Sequence, residues 1–201
     1  MKRLLIWYAV FCCSFFLSAS EAEIKAANAA YYQAVQDFET LRALSFIHPD
    51  FSELRFGKPG TSYSELAKES QKLAALKKAL APEAKIADIM EFQFLAEGIT
   101  LDAGQRRQLL ALENSPEGKE LRKQLQPMLE NFKKLVADNR KVMQDIWKSY
   151  REISCKADGD QGVLVYQIKN LTDGEMVLNT TTWRKVDGKW LAYKTVIEKL
   201  K

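Results

Sequence analysis

The chain contains a single histidine, His48, which stands two residues before Asp50 in the sequence HPDF at 48–51. An imidazole beside a carboxylate is a pair that can move protons as a general acid and base. Such a site also needs a reacting group nearby, and Tyr31 could supply a hydroxyl from the preceding helix. The alternative is structural, with HPDF as the corner between a helix and a strand and Asp50 capping backbone amides. His48 and Asp50 are therefore candidate catalytic residues, and both interpretations stay open.

Aromatic side chains near the C-terminus form a second candidate site. Trp183, Trp190 and Tyr193 lie in the sequence TTTWRKVDGKWLAYKT at 180–195. Aromatic rings offer a large contact area with a polar tip, which suits a ligand-binding platform. Together with Tyr31 they are the candidate binding residues, and the alternative is that they form the core of a sheet.

Metal, phosphate and nucleophilic sites are not predicted. One histidine, and no paired ligands at metal-binding spacing, argue against zinc. The sequence DGDQG at 158–162 lacks the later acidic ligands of a calcium loop, and its length suits a turn. The sequence has neither a G-x-S-x-G elbow nor a phosphate-binding glycine loop. We therefore predict no metal and no cofactor.

The first 22 residues have the layout of a secretory signal peptide. Lys2 and Arg3 precede the uncharged run LLIWYAVFCCSFFLSA, and small residues follow in SASEAE. The run is shorter than the roughly 20 apolar residues that a membrane span needs. We therefore predict cleavage after Ala19, Ser20 or Ala22, export to a bacterial periplasm or to the medium, and no membrane span after cleavage.

Charge and cysteine content exclude two classes of protein. Without Lys2 and Arg3 the formal net charge falls from +4 to +2, so no basic surface for a nucleic acid is predicted. Cys155 would be the only cysteine of the mature chain, which excludes an intramolecular disulfide. Packing must therefore supply the stability.

Hydrophobic spacing predicts helices in the first two thirds of the mature chain. Apolar residues at intervals of three and four form one stripe over 23–42. Ser62 and Glu65 have the spacing of a capping box, which predicts a helix from there to about Leu80. These elements would position the residues around His48.

The middle of the chain continues this helical pattern. The segment 82–98 could be a strand by its alternation, but Pro82 and Gly98 suit the two ends of a helix, and we predict a helix. Ser115 is the predicted cap of a longer helix, and Pro127 inside that helix is expected to kink it or to divide it in two.

After Tyr150 the hydrophobic period changes from 3.6 to 2. Four strand-like segments follow, joined by the short sequences DGDQ, LTDG and DG. Short connections rich in Asp and Gly are typical of antiparallel hairpins. The sequence therefore predicts a four-strand antiparallel meander over 150–198.

The last hairpin also predicts its own register. An Asp-Gly pair at 187–188 favours a two-residue turn, which places Trp183 opposite Ala192. Strict alternation then puts Val196 on the face of Trp183 and Ile197 on the other face. Because both faces carry apolar residues, we expect both to be covered, one by helices and the other by a partner subunit or the helical segment.

The sequences AAYYQAVQDFETLRALSFIHPDF and TTTWRKVDGKWLAYKT together resemble the nuclear transport factor 2-like superfamily. The resemblance covers about 23–56 and 150–198, and it implies a cone-shaped α+β fold whose curved sheet wraps around an N-terminal helix. Residues 61–148 depart from the family pattern as a mostly helical insert. The predicted organisation is thus a signal peptide at 1–22 and a single α+β domain at 23–201.

This superfamily includes isomerases, dehydratases and cyclases as well as non-catalytic binding domains, so the fold decides little about activity. The resemblance implies that a proton-transfer site would combine an Asp or His with an aromatic hydroxyl inside the cone. That implicates His48, Asp50, Tyr31 and Tyr193.

The scarcity of catalytic side chains and the second apolar sheet face favour one functional hypothesis. We expect an exported binding or protein-interaction module, with a small apolar ligand or a protein as partner and with homodimerisation through a sheet face. One alternative is a small-molecule isomerase or dehydratase that uses a conical pocket. Another is a helical envelope scaffold or chaperone-like protein whose working surface is 61–148.

Overall fold

Six strands form one sheet in the order β2-β1-β6-β5-β4-β3, and helices cover it. The computed structural model describes the backbone of residues 2–200 and the side chains of residues 19–200. The helices are α1 Lys2–Gln36, α2 Thr40–Leu44, α3 Tyr63–Ala79, α4 Ile86–Ala96, α5 Ala103–Ala111 and α6 Pro116–Lys148. The strands are β1 Ile47–Arg55, β2 Lys58–Ser62, β3 Arg151–Asp158, β4 Gln161–Lys169, β5 Met176–Val186 and β6 Lys189–Lys199. The fold class is α+β, as predicted.

The predicted signal peptide falls at the start of α1. The side chains of residues 1–18 lie outside the described part of the chain, so cleavage and export stay predictions. Within the described residues, no helix combines the length and the apolar character that crossing a bilayer requires.

The last four strands, β3 to β6, pair with their sequence neighbours in antiparallel fashion, which confirms the predicted meander. The predicted strand count was too low, because β1 pairs in parallel with β6 and β2 pairs with β1 at the sheet edge. Phe56 and Gly57 both have positive φ and make the tight connection between β1 and β2. The sequence KPGTS of β2 has the composition of a loop, and only its pairing makes it a strand.

The closing hairpin has the predicted register, with Trp183 opposite Ala192 and positive φ at both residues of the 187–188 turn. Beyond Ala192 the register shifts, and Tyr193 is the extra residue of a β-bulge. The bulge inverts the alternation that follows, so Ile197 is buried, and the prediction for Val196 and Ile197 was wrong.

Three helix ends agree with the sequence. Ser62 caps α3 in a capping box with Glu65. The segment predicted as a helix at 82–98 contains α4, and Gly98 follows it with φ +80°. Ser115 caps α6, its hydroxyl accepting from the amide of Gly118 at 3.0 Å.

One helix prediction was wrong in extent, and one of the two outcomes predicted for another helix does not occur. The first helix was expected to reach residue 42, but α1 ends at Gln36, and Phe38 takes a positive φ of 58° before α2 begins. α6 continues through Pro127 as one element, so the division into two helices does not occur. Packing of Leu125 and Leu129 on either side of the proline supports the helix there.

Buried side chains form two separate hydrophobic clusters. The sheet cluster lies between α1 and the sheet and comprises Ile24, Ile47, Phe51, Ile146, Ala157, Leu164, Tyr166, Ile168, Val177, Trp183, Trp190, Ala192 and Ile197. The helical cluster lies between α3, α4 and α6 and comprises Leu76, Ala79, Ile89, Phe92, Leu125 and Leu129. Gly162 lets α1 lie directly on β4, because a Cβ at that position would overlap the side chain of Ile24.

Candidate functional site

A cavity of about 400 Å³ lies inside the sheet cluster. Its walls come from α1, from β1 and the edge strand β2, from the central strands β4, β5 and β6, and from the ends of α3 and α6. The sheet thus supplies one wall and α1 the opposite one. A cavity of this size is in the usual range for small-molecule sites.

Strand β5 supplies the floor of the cavity. Its alternate residues Val177, Asn179, Thr181 and Trp183 all line the space and are all buried, because successive side chains of a strand point to opposite faces. The hydroxyl of Thr181 lies 3.1 Å from that of Thr195 on β6, so these two groups satisfy each other.

Two other polar groups on this floor are not satisfied. Asn179 and Trp183 are 4% and 1% exposed, and neither Asn179 Nδ2 nor Trp183 Nε1 has a hydrogen-bond partner among the described residues. A buried donor without an acceptor costs about 1–3 kcal/mol relative to a satisfied one. Trp183 Nε1 can only donate, so this position calls for an acceptor oxygen that residues 19–200 do not supply.

The wall from α1 carries phenol groups. The hydroxyls of Tyr32 and Tyr166 are 3.1 Å apart, and the ring of Tyr32 stacks on that of Trp147 with centroids 4.6 Å apart. Burial raises the pKa of Tyr31 to about 12, and burial likewise raises the pKa values of Tyr32 and Tyr166. These three phenols are therefore neutral at physiological pH and can donate hydrogen bonds.

An ion pair on β1 faces the same cavity. Arg55 Nε donates to Glu53 Oε1 at 3.1 Å, and Arg55 Nη1 donates to Asn170 Oδ1 at 3.2 Å. The Glu53 side chain is only 13% exposed, so its carboxylate is held inside the wall by the guanidinium. The two charges offset each other at this position.

The predicted binding residues divide between the cavity and its surroundings. Tyr31 and Trp183 line the cavity. Trp190 is buried in the sheet cluster, and its Nε1 donates to Glu23 Oε2 at 2.9 Å, which ties α1 to the hairpin. Tyr193, the bulge residue, has the guanidinium of Arg184 3.4 Å from its ring centroid and is not among the lining residues.

The structure does not bring His48 and Asp50 to the cavity. The amide of Asp50 donates to His48 Nδ1 at 3.0 Å, and the imidazole ring packs against Tyr193 with centroids 5.2 Å apart. The reason is strand alternation, since Ile47, Phe51 and Glu53 face the cavity and the even-numbered residues of β1 face away. The catalytic role of His48 and Asp50 stays a prediction without support from this geometry.

Sequence reasoning did not find Glu53, Arg55, Asn179 or Tyr166. Alternation along β5 could have found Asn179, because it stands two residues from Val177 and four from Trp183 on the same predicted face. Glu53 and Arg55 required knowing that β1 is a strand, which the sequence analysis treated only as one interpretation.

No protein-family model matches the sequence, and no curated protein matches it. Several solved structures are similar to the chain. An NTF-2 like protein of unknown function from Silicibacter pomeroyi DSS-3 is 12% identical, with 90% of this chain and 96% of the other covered and a TM-score of 0.44. An NTF2-like protein with a cystatin-like fold from Novosphingobium aromaticivorans is 10% identical, with 95% and 88% covered and a TM-score of 0.45. A ketosteroid isomerase-like protein from Erwinia carotovora atroseptica is 11% identical, with 90% and 95% covered and a TM-score of 0.38.

Proteins described as NTF2-like, the superfamily that the sequence resembles, are among these similar structures. Similarity at this distance says nothing about what the chain binds. The architecture and the site described above rest on the chain's own contacts.

Proposed function

We propose that the protein is a binding module whose small-molecule ligand occupies the cavity between α1 and the sheet. The observation that carries this proposal is the pair of unsatisfied donors, Trp183 Nε1 and Asn179 Nδ2, on a buried cavity floor. Buried polar groups in folded proteins are normally paired, so a pair of unpaired donors beside an empty space favours an external acceptor. A carbonyl oxygen on a largely apolar molecule fits both the donors and the surrounding side chains.

The charges around the cavity favour binding over chemistry. The phenols of Tyr31, Tyr32 and Tyr166 stay protonated at physiological pH, because burial raises their pKa values. The carboxylate of Glu53 already accepts a hydrogen bond from Arg55 Nε at 3.1 Å. The cavity thus offers several donors to hold a ligand and no free base to transform it.

Nuclear magnetic resonance of the indole N–H groups tests the proposal directly. On adding methyl hexanoate, a compact carbonyl compound, we expect the indole signal of Trp183 to shift as its N–H acquires an acceptor. The signal of Trp190 is the internal control, since its N–H already donates to Glu23. Trp183→Phe and Trp190→Phe assign the two signals. A Trp183 signal that does not move with this probe at saturating concentration contradicts the proposal.

A second candidate function follows from one feature of the cavity wall. The Glu53 carboxylate lines the same space as the hydroxyls of Tyr31 and Tyr166, which is the combination of acid residue and phenol that proton transfer beside a carbonyl uses. In that reaction Glu53 removes a proton next to the carbonyl carbon, the donors hold the enolate oxygen, and Glu53 returns the proton. This is the isomerase-type alternative, with Glu53 in the role proposed above for His48 or Asp50.

Deuterium exchange separates the two functions. An enzyme of this type exchanges the protons next to the carbonyl of bound methyl hexanoate for solvent deuterium, and Glu53→Gln abolishes the exchange. A binding module binds the ester without exchange above the rate in buffer. The Trp183 indole signal shifts in either case, so the two outcomes are read independently.

Export and dimerisation stay proposals with their own tests. We infer that the mature chain is exported and that two copies pair through the outer sheet face, where Ile153, Val163 and Val186 are 53%, 38% and 38% exposed. N-terminal sequencing of the chain recovered outside the cytoplasm tests the first. Sedimentation equilibrium of the wild type and of Val163→Lys tests the second, and a monomeric wild type would exclude it.

A further inference from the structure

A second cavity adjoins the first. It has a volume of about 300 Å³ and lies between the end of α1, the short helix α2, α3 and α6. Tyr31, Ile47, Leu66, Met143 and Leu171 line both cavities. The two spaces therefore meet along a wall of shared side chains rather than being separated by backbone.

The two cavities differ in polarity. The first holds the unsatisfied donors of Asn179 and Trp183. Apolar side chains line most of the second, including Val35, Phe38, Leu44 and Leu73. In this second cavity the Thr40 hydroxyl donates to the carbonyl of Ser70 at 3.0 Å, so this hydroxyl already has a partner within the chain. The first cavity thus holds unsatisfied buried donors, whereas the lining of the second is mostly apolar, with Glu69 and Asn139 as its further polar side chains.

The side chains between the cavities suit an adjustable partition. Met143 and Leu66 are only partly buried, and both pack against the sheet cluster. Methionine is unbranched and flexible, so it can change rotamer around a ligand without breaking a hydrogen bond. A narrow apolar chain could pass there without moving any strand.

We propose that the ligand is an amphiphile with an uncharged carbonyl head and an unbranched alkyl tail. The carbonyl oxygen accepts from Trp183 Nε1 in the first cavity, and the tail passes Met143 into the second. Glu53 and Arg55 offset each other in the wall, and the other cation of the lining, Lys169, is exposed to solvent, so an ester or amide fits better than an ion. This inference rests on the proposed binding function and names the class of ligand for the same site.

Calorimetry on the full chain with methyl hexanoate and methyl dodecanoate tests the tail. Each additional buried methylene tightens binding by about fourfold, so six more methylenes should tighten the binding of the longer ester by up to about 4,000-fold. Equal affinities would overturn the amphiphile while leaving the binding function intact. No binding of either ester, with an unmoved Trp183 indole signal, would instead overturn the binding function.

Two variants on α3 show whether the tail uses the second cavity. Ser70 lines that cavity and Gln71, the next residue, is exposed. In Ser70→Phe the ring fills the cavity, and the ratio of the two dissociation constants should fall toward one. Gln71→Phe adds the same ring on the solvent side and should keep the wild-type ratio. A ratio that is the same in both variants contradicts the proposed path of the tail.

Dodecanoic acid tests the head. At neutral pH the acid is an anion with the same tail, and taking that charge out of water is costly because Arg55 is already paired with Glu53. The methyl ester should therefore bind more tightly than the acid. Tighter binding of the acid would overturn the uncharged head and point to a free fatty acid.

Discussion

The helical cluster and the sheet cluster treat buried polar groups in opposite ways. In the helical part, the side chain of Asp88 is only 9% exposed, yet it accepts from Lys78 Nζ at 2.9 Å, Arg106 Nη2 at 2.8 Å and the amide of Lys85 at 3.0 Å. In the sheet part, Trp183 Nε1 is more deeply buried and has no partner among the described residues. One region satisfies a buried charge from three directions, and the other leaves a neutral donor unsatisfied.

Two of the three buried side-chain donors that lack a partner among the described residues, Asn179 Nδ2 and Trp183 Nε1, line the cavity, and the third is Gln36 Nε2 at the end of α1. Asp88 has partners from α3, from α5 and from the cap of its own helix. The chain therefore satisfies a buried polar group at a place where no ligand is expected to supply the partner. Partly satisfied buried groups are costly, and they persist where function requires them. Each of the substitutions below acts on one side of this contrast.

The largest effect is expected at Asp88. Asp88→Ala removes the acceptor for two cations and for the amide of Lys85, and we expect a loss of about 2–3 kcal/mol in the free energy of unfolding, measured in urea. Asp145→Ala is the matched control, because its pair with Lys148 is exposed and its loss should be small. Equal losses for the two variants would remove the contrast between the clusters.

Asp88 also predicts how stability responds to acid. Burial alone would raise the pKa of this carboxyl, but the hydrogen bonds from Lys78 and the Lys85 amide and the charges of Lys78 and Arg106 outweigh it, and the pKa falls below the ordinary 3.8. Its contribution is therefore complete above the unfolded pKa and is lost as the pH falls through the lower folded-state pKa. Asp88→Asn should flatten this acid limb of the unfolding curve.

Gly118 tests the packing of the helical region. This glycine stands in the first turn of α6, and a Cβ there would overlap the backbone carbonyl of Leu112. Alanine favours a helix over glycine by about 1 kcal/mol, but overpacking against backbone costs about 1–3 kcal/mol. We therefore expect Gly118→Ala to destabilise by about 1–2 kcal/mol in thermal unfolding. Lys119→Ala, the exposed neighbour, should change little, and a stabilised Gly118→Ala would show that the contact relaxes.

Local signals in the sequence were sufficient to predict the closing hairpin and the start of α3. The Asp-Gly turn at 187–188 fixed the pairing of Trp183 with Ala192, and Ser62 with Glu65 marked the start of α3. These predictions needed only contacts between residues close in the chain. No local signal in the sequence predicted the bulge at Tyr193, because the extra residue of a bulge can be of many types.

The cavity could not be predicted to the same extent, since its wall depends on pairing across the whole chain. β1 joins β6 in parallel, with Leu54 beside Val196, and no local pattern specifies a partner so distant in sequence. That pairing decides that Glu53 faces inward and His48 outward. The candidate binding residues Trp183 and Tyr31 line the cavity, but the sequence offered no reason to prefer Glu53 over His48.

Two buried asparagines of the sheet region differ in the same way, one with hydrogen-bond partners and the other with an unsatisfied donor. Asn170 is 7% exposed, and it accepts from Arg55 at 3.2 Å and donates to Asp173 at 3.0 Å. Asn179 is 4% exposed, and its Nδ2 has no partner in the described chain. Without ligand, Asn179→Leu should stabilise by about 1 kcal/mol, whereas Asn170→Leu should destabilise by a similar amount. Urea unfolding of both variants measures the difference, and two losses of equal size would mean that Asn179 has an acceptor.

The smallest effect at neutral pH is expected at Tyr32. Its hydroxyl lies 3.1 Å from that of Tyr166, so Tyr32→Phe should lower the free energy of unfolding by about 0.5–1 kcal/mol.

Burial raises the pKa of Tyr32 well above its ordinary 10.0, and the neighbouring phenols of Tyr166 and Tyr31 raise it further. The neutral hydroxyl therefore contributes fully below the unfolded pKa, and that contribution is lost as the pH rises through the higher folded-state pKa. Above pH 10.0 the wild type should lose stability more steeply than Tyr32→Phe, as measured by urea unfolding across the alkaline range. If the stabilities of the wild type and Tyr32→Phe change in parallel with pH, the Tyr32 phenol is in contact with water. The wall that α1 supplies would then not be closed to solvent.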